Sequence, residues 1–166
     1  MLSKDASHSR IAVQARWLSE GTRIIMLNYA REQAVEALRS ARSAILATSG
    51  PAGVQVSEVS CQAIDLDLYL LVPQTSDQLF NLEHDPAVTL LASGWELSGE
   101  AEILSGHTPD AGLELLREPG APWCALVRVY ARRLQMRREG GWGGRETIDL
   151  RQVTPRREPG PPIPPD

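Results

Sequence analysis

Between Trp95 and Ile103 the chain alternates without a break. Trp95, Leu97, Gly99, Ala101 and Ile103 fall on one side, and Glu96, Ser98, Glu100 and Glu102 fall on the other. A period of two, with one side apolar and the other polar, describes a β-strand whose one face lies in a core and whose other face meets water.

Other segments keep the same period in shorter pieces. Ser43–Ser49 is a short apolar strand, closed by the Gly50-Pro51-Ala52-Gly53 turn. The next strand runs from Val54 to about Ala63, and its parity slips: Val54 and Val56 share one side, while Val59, Cys61 and Ala63 share the other. One extra residue near Ser57-Glu58 repairs the pattern, so a β-bulge is expected there. Asp65-Leu66-Asp67 turns into an apolar strand at Leu68–Val72, ended by Pro73, and Val88–Ala92 is a further strand. Residues 123–137 form a long strand in which Leu134 and Met136 oppose the parity of Val127, Val129 and Ala131, so a bend is expected near Arg132-Arg133. A short strand follows the Gly140–Gly144 loop, near 145–150.

Helical spacing is rarer. Ala30, Ala34, Val35, Ala37, Leu38 and Ala41 predict an amphipathic helix over about 29–42, with Asn28 as its N-cap. Thr75-Ser76-Asp77 opens a short helix that Asp85-Pro86 stops, and 109–117 reads as a third. Residues 10–29 read equally as strand or helix. Many short antiparallel strands with tight turns and few helices imply a closed or nearly closed barrel.

The bulk numbers fit one domain: 166 residues, 42% hydrophobic and 23% charged. The division expected is an N-terminal extension over 1–29, a barrel domain over 30–150 and a tail over 151–166, six of whose last twelve residues are proline. A net charge of -4 argues against nucleic acid as the main partner. No apolar run approaches the ~18 residues of a membrane span, and the polar N-terminus lacks a signal-peptide core, so a cytoplasmic protein is expected. Cys61 and Cys124 sit in apolar stretches, as buried thiols do, and His8, His84 and His107 have no metal-binding or axial-ligand spacing.

The stretch Ala37 to Leu104 resembles the FMN-binding split-barrel family typified by the pyridoxamine 5′-phosphate oxidases. The resemblance lies in LRSARSAILATSG, GVQVSEVSC, LYLLVPQTSDQLFNLEHDPAVTLL and WELSGEAEIL, and above all in Ser76, Asn81, Leu82, Pro86 and Val88. It implies a mainly β chain with minor α, folded as a six-stranded antiparallel split β-barrel with short flanking helices. It also implies a homodimer with FMN in clefts between the subunits. By that likeness the main chain of Val56, Ser57, Glu58 and Val59 lines the cofactor, Thr75 and Ser76 contact its phosphate, and Gln78 stands nearby. Trp142 and Arg145 would then face the flavin from the C-terminal region. The chain departs from the family where Ser-Arg-Lys is replaced by Ser76-Asp77-Gln78, and where Val54 occupies a basic position. Each charge-assisted phosphate contact so lost is worth roughly 1.5–3 kcal/mol.

The expectations that follow are a flavin-dependent oxidoreductase of unknown substrate, a relative holding another cofactor such as deazaflavin or haem, or a cofactor-free dimeric barrel serving as a binding module. Plainer roles stand beside the sharp ones. Thr75-Ser76 is equally a helix cap, Gln78 a solvated helix residue, Glu58 an exposed carboxylate and Trp142 a plug for its own barrel.

Overall fold

Six strands close on themselves. The computed structural model describes residues 20–105, 112–137 and 145–153. In chain order they form α1 (Glu20–Arg39), β1 (Ser43–Thr48), β2 (Gln55–Ile64), β3 (Asp67–Pro73), α2 (Asp77–His84), β4 (Ala87–Ala92) and β5 (Trp95–Ile103). Two 3-10 turns follow at Glu114–Arg117 and Ala121–Trp123, then β6 (Cys124–Arg137), β7 (Arg145–Asp149) and α3 (Leu150–Val153). The sheet runs β3-β2-β1-β4-β5-β6-β7, and β3 also pairs with β6, so the first six strands make an antiparallel barrel. This is the mainly β, six-stranded barrel that the family resemblance implies.

The long strand β6 is shared. Its first half, Cys124–Tyr130, pairs with β3, and its second half, Arg133–Arg137, pairs with β7. The change of partner coincides with a bulge. Ser98 lies opposite Arg133 but Gly99 lies opposite Ala131, which leaves Arg132 as the extra residue, as the parity change near Arg132-Arg133 predicts. Gly99 is required there, because a Cβ at this position would run into the carbonyl oxygen of Tyr130.

The bulge expected near Ser57-Glu58 is absent. β1 and β2 pair in unbroken register from Ser43 opposite Ser60 to Thr48 opposite Gln55. The parity slip has another cause: Val54 and Val56 turn outward and are exposed, while Val59 and Cys61 face the core. Apolar residues on the outer face imitated a backbone shift.

Leu46, Leu68, Leu70, Leu90, Leu97, Val127, Val129 and Leu134 are wholly buried in the barrel, joined by Ala34 and Leu38 of α1 and Leu150 of α3. β3 is buried on both faces. Its Tyr69 and Leu71 form a second cluster with Leu113 and Leu115, which belong to a strap over residues 112–123. Gln62 fastens the strap, donating from Nε2 to the Gly112 carbonyl at 2.8 Å and accepting from the Leu115 N–H at 3.0 Å. Ser60 adds a bond to Glu118.

α1 begins earlier than its apolar spacing predicts. Asn28 lies within the helix and caps nothing, and the helix ends at Arg39. The run Ile24–Leu27 belongs to the helix, but Ile24, Ile25 and Met26 are exposed, so no core-facing stripe marks that half. Residues 10–19, the first part of the helix expected over 109–117, Trp142 and the proline-rich 155–166 lie outside the described residues. Glu114–Arg117 is a 3-10 turn.

Candidate functional site

α2 is short, and its polar side chains hold it in place. Ser76 is the N-cap: its Oγ accepts from the Leu79 N–H at 3.2 Å and donates to the Pro73 carbonyl at 2.8 Å. Gln78 is 4% exposed. Its Nε2 donates to the Leu46 carbonyl at 2.9 Å, and its Oε1 accepts from Ser57 Oγ at 2.7 Å. Asn81, fully buried, donates to the Gly53 carbonyl at 2.8 Å and to Thr48 Oγ1 at 3.3 Å, and accepts from the Ala52 N–H at 2.9 Å. Leu79 and Leu82 pack beside them in the core. α2 is thereby bolted to the end of β1 and to the turn that starts β2. Buried polar groups must be paired in this way, and each such bond contributes about 1 kcal/mol net.

The strap covers the outer face of β3 and the second half of β2. The first half of β2 is left open, together with β1 and β4. Val56 lies opposite Ala47, Ile45 lies opposite both Glu58 and Leu91, and Val56, Ile45 and Leu91 are all exposed. Glu58 shares this face and accepts a 2.6 Å hydrogen bond from Ser43 Oγ. The fold thus gathers Val56, Ser57, Glu58, Thr75, Ser76 and Gln78 around one rim, but not in one role. Val56 and Glu58 point outward, Val59 is core, Ser57 braces Gln78, and Thr75 is exposed on the turn before α2. Arg145 opens β7 opposite Arg137, at the other end of β6 from Cys124, which pairs with Pro73.

Sequence reasoning missed Trp123. It is 77% exposed, yet its main chain is fixed: its N–H donates to the Gly120 carbonyl at 3.1 Å, and its carbonyl accepts from the Gln74 N–H at 3.0 Å. A flat apolar ring therefore stands beside the Pro73–Ser76 turn. The available signal was the Pro119-Gly120-Ala121-Pro122 turn, which pins a tryptophan at the mouth of a strand.

On β3 and β6, Arg128 pairs with Asp67 and lies 4.6 Å from the Tyr130 ring centroid, while Tyr130 donates to Glu102. The Glu102 hydrogen bond and partial burial raise the Tyr130 pKa. Asp67 and Glu102 thus have partners within the protein, while Arg128 Nε is buried without one. Among the described residues no group of three or more His, Cys, Asp or Glu is placed to hold a metal, and no helix is long and apolar enough to cross a membrane.

FMN, the cofactor implied by the resemblance, carries a dianionic phosphate, and the start of α2 does not fit it. Ser76 Oγ and both polar atoms of Gln78 are engaged within the protein, Asp77 adds a carboxylate to the first turn, and Val54 offers no charge.

No family model matches the chain, and no curated protein matches it. Solved structures do. A Clostridium acetobutylicum protein related to general stress protein 26, of the pyridoxinephosphate oxidase family, superposes with a TM-score of 0.56 at 16% identity, covering 77% of this chain and 99% of its own. General stress protein 26 of Bacillus anthracis gives 0.52 at 16%, covering 72% and 98%. A heme binding protein from Mycobacterium smegmatis gives 0.51 at 18%, covering 75% of this chain and 59% of the other. At these identities the likeness is one of fold: the chain has the split barrel of the pyridoxinephosphate oxidase type.

Proposed function

We propose that this chain is a flavin-binding split-barrel protein that acts as a homodimer and serves as a flavin-dependent oxidoreductase. One observation carries the reading: the open outer face of Val56, Ile45 and Leu91, which lies beside the rim formed by β2 and α2. An apolar face left bare on three adjacent strands suits a second copy, because a two-fold interface covers one patch with the same patch. A stable pair needs well over ~1,000 Å² of buried surface, so neighbouring elements would join these strands in the contact. The cleft between copies would then take the flavin ring along the main chain of Val56, Ser57, Glu58 and Val59, with Thr75 at its edge. Gln78 and Ser76 act there as braces of the cleft wall. On the resemblance alone, Trp142 and Arg145 are proposed to face the flavin from the C-terminal region. A flavin in such a cleft supplies the electron chemistry, and the protein supplies binding and orientation.

The occupied state of Ser76 and Gln78 favours a second reading, a dimeric barrel without cofactor that serves as a binding module. Light scattering together with a visible spectrum and flavin titration separates the two. A mass near twice 18.2 kDa with flavin fluorescence quenched supports the first reading. A dimer that leaves flavin fluorescence unchanged at tens of micromolar supports the second, and a monomer removes the basis of both.

A further inference from the structure

We infer that the cleft selects a ring ligand without a terminal phosphate, so that riboflavin or another phosphate-free flavin binds at least as well as FMN. This rests on the flavin reading above and concerns the ligand class of the same site. Three independent features support it.

First, the Ser76 and Gln78 side chains at the start of α2 are already in use, which leaves the neutral hydroxyl of exposed Thr75 as the side-chain donor there. Gln78 Nε2 is held by the Leu46 carbonyl and its Oε1 by Ser57, and Gln78 is too buried to turn outward. The Ser76 hydroxyl hydrogen goes to the Pro73 carbonyl, and its oxygen caps Leu79. Turning Gln78 toward a phosphate would orphan the buried Leu46 carbonyl, which costs more than the new bond returns, and turning Ser76 would give up the cap of α2.

Second, the local charge has the wrong sign. Gly50–Asp65 contains no lysine or arginine, and neither does Pro73–Asp85. In their place stand Asp77, exposed in the first turn, and Glu58, on the open face of β2. His84 sits in the last turn of α2, its Nδ1 bonded to the Phe80 carbonyl. Four arginines have carboxylate partners: Arg31 pairs with Asp65, Arg42 with Glu114, Arg128 with Asp67 and Arg132 with Glu100.

Third, what the rim does offer is apolar and flat. Trp123 is fixed beside the Pro73–Ser76 turn by the Gln74 N–H, and Val54, just before β2, and Val56, on it, are exposed. Such surfaces hold a conjugated ring and give a phosphate nothing.

The test is a pair of fluorescence titrations on the full chain, riboflavin against FMN, with wild type and Asp77→Lys. Asp77 is exposed, so the variant leaves the core untouched. Wild type is expected to bind FMN no more tightly than riboflavin. Asp77→Lys is expected to tighten FMN by about tenfold or more, with riboflavin unchanged, since one charge-assisted contact is worth that factor. FMN binding tenfold tighter than riboflavin in wild type overturns the inference. So does an Asp77→Lys variant that leaves the FMN-to-riboflavin ratio unchanged, because the tail would then lie elsewhere. If neither flavin is quenched at tens of micromolar by wild type or variant, the flavin reading itself fails and takes this inference with it.

Discussion

Ser57 donates its hydroxyl hydrogen to Gln78 Oε1 across 2.7 Å, and the same glutamine donates to the Leu46 carbonyl across 2.9 Å. One buried amide thus ties β2 to α2 and α2 to β1. Ser57→Ala should cost about 1 kcal/mol, since it leaves one acceptor of a buried amide unmatched. Gln78→Ala should cost about 2–4 kcal/mol, from the lost bonds and the space left behind. Urea unfolding of both single variants and of the double variant measures this. A double variant less damaged than the sum of the two singles is the expected sign of direct coupling.

Gly99 and Gly120 give a matched comparison. A methyl group at Gly99 meets the Tyr130 carbonyl at the bulge, whereas one at Gly120 meets nothing within 4 Å. Gly99→Ala is expected to destabilise by about 2 kcal/mol or more and Gly120→Ala to stay within about 0.5 kcal/mol, read as shifts in melting temperature. Equal shifts would mean that the barrel opens at the bulge without cost.

Burial pushes the Cys61 thiol up to about 11. In the native protein Cys61 should resist alkylation at pH 8, while the partly exposed Cys124 reacts, and urea should release both. The raised value also has a stability consequence. The native state keeps its proton where the unfolded thiol, at 9.0, has lost it. Stability from this group is therefore full below pH 9 and declines as pH rises toward 11. Cys61→Ala should flatten that decline, as unfolding curves at pH 8 and pH 10.5 would show.

Leu91 of β4 is exposed on the open face, opposite Ile45 of the central strand β1. Leu91→Lys places two like charges close to a two-fold axis and should shift the mass from dimer to 18.2 kDa, with the monomer still folded by circular dichroism. A variant that stays dimeric would move the interface to another face.

Much of the barrel is legible because its strands keep one face in the core. Trp95, Leu97 and Gly99 are buried and Glu100 and Glu102 exposed, as the alternation reads. The bend at Arg132 is legible for the same reason. β2 misled because exposed Val54 and Val56 carry the same letters as core valines, and hydrophobicity alone does not say which cover a residue has. α1 misled because Asn28 resembles a cap, while the turns before it carry no one-sided pattern. At the site, Ser76 reads correctly as a cap, since capping is local. The burial of Gln78 and Asn81 was not legible, because their partners, Leu46, Thr48, Ala52, Gly53 and Ser57, lie some twenty to thirty positions earlier in the chain.

Barrel closure by β3 and β6 also sets an order for folding. Leu70 pairs with Val127, so the ring cannot shut until nearly the whole described chain has been synthesised. Until then the sheet from β3 to β5 carries two bare edges, one on β3 and one on β5, each with a row of unpaired amides and carbonyls. Contacts so distant in sequence form slowly, because the loop between them must lose its freedom first. During that interval the nascent sheet is open to pairing with another copy, edge to edge. Glu100 and Glu102, on the outer side of β5, put negative charge along one of those edges and oppose such pairing between identical chains.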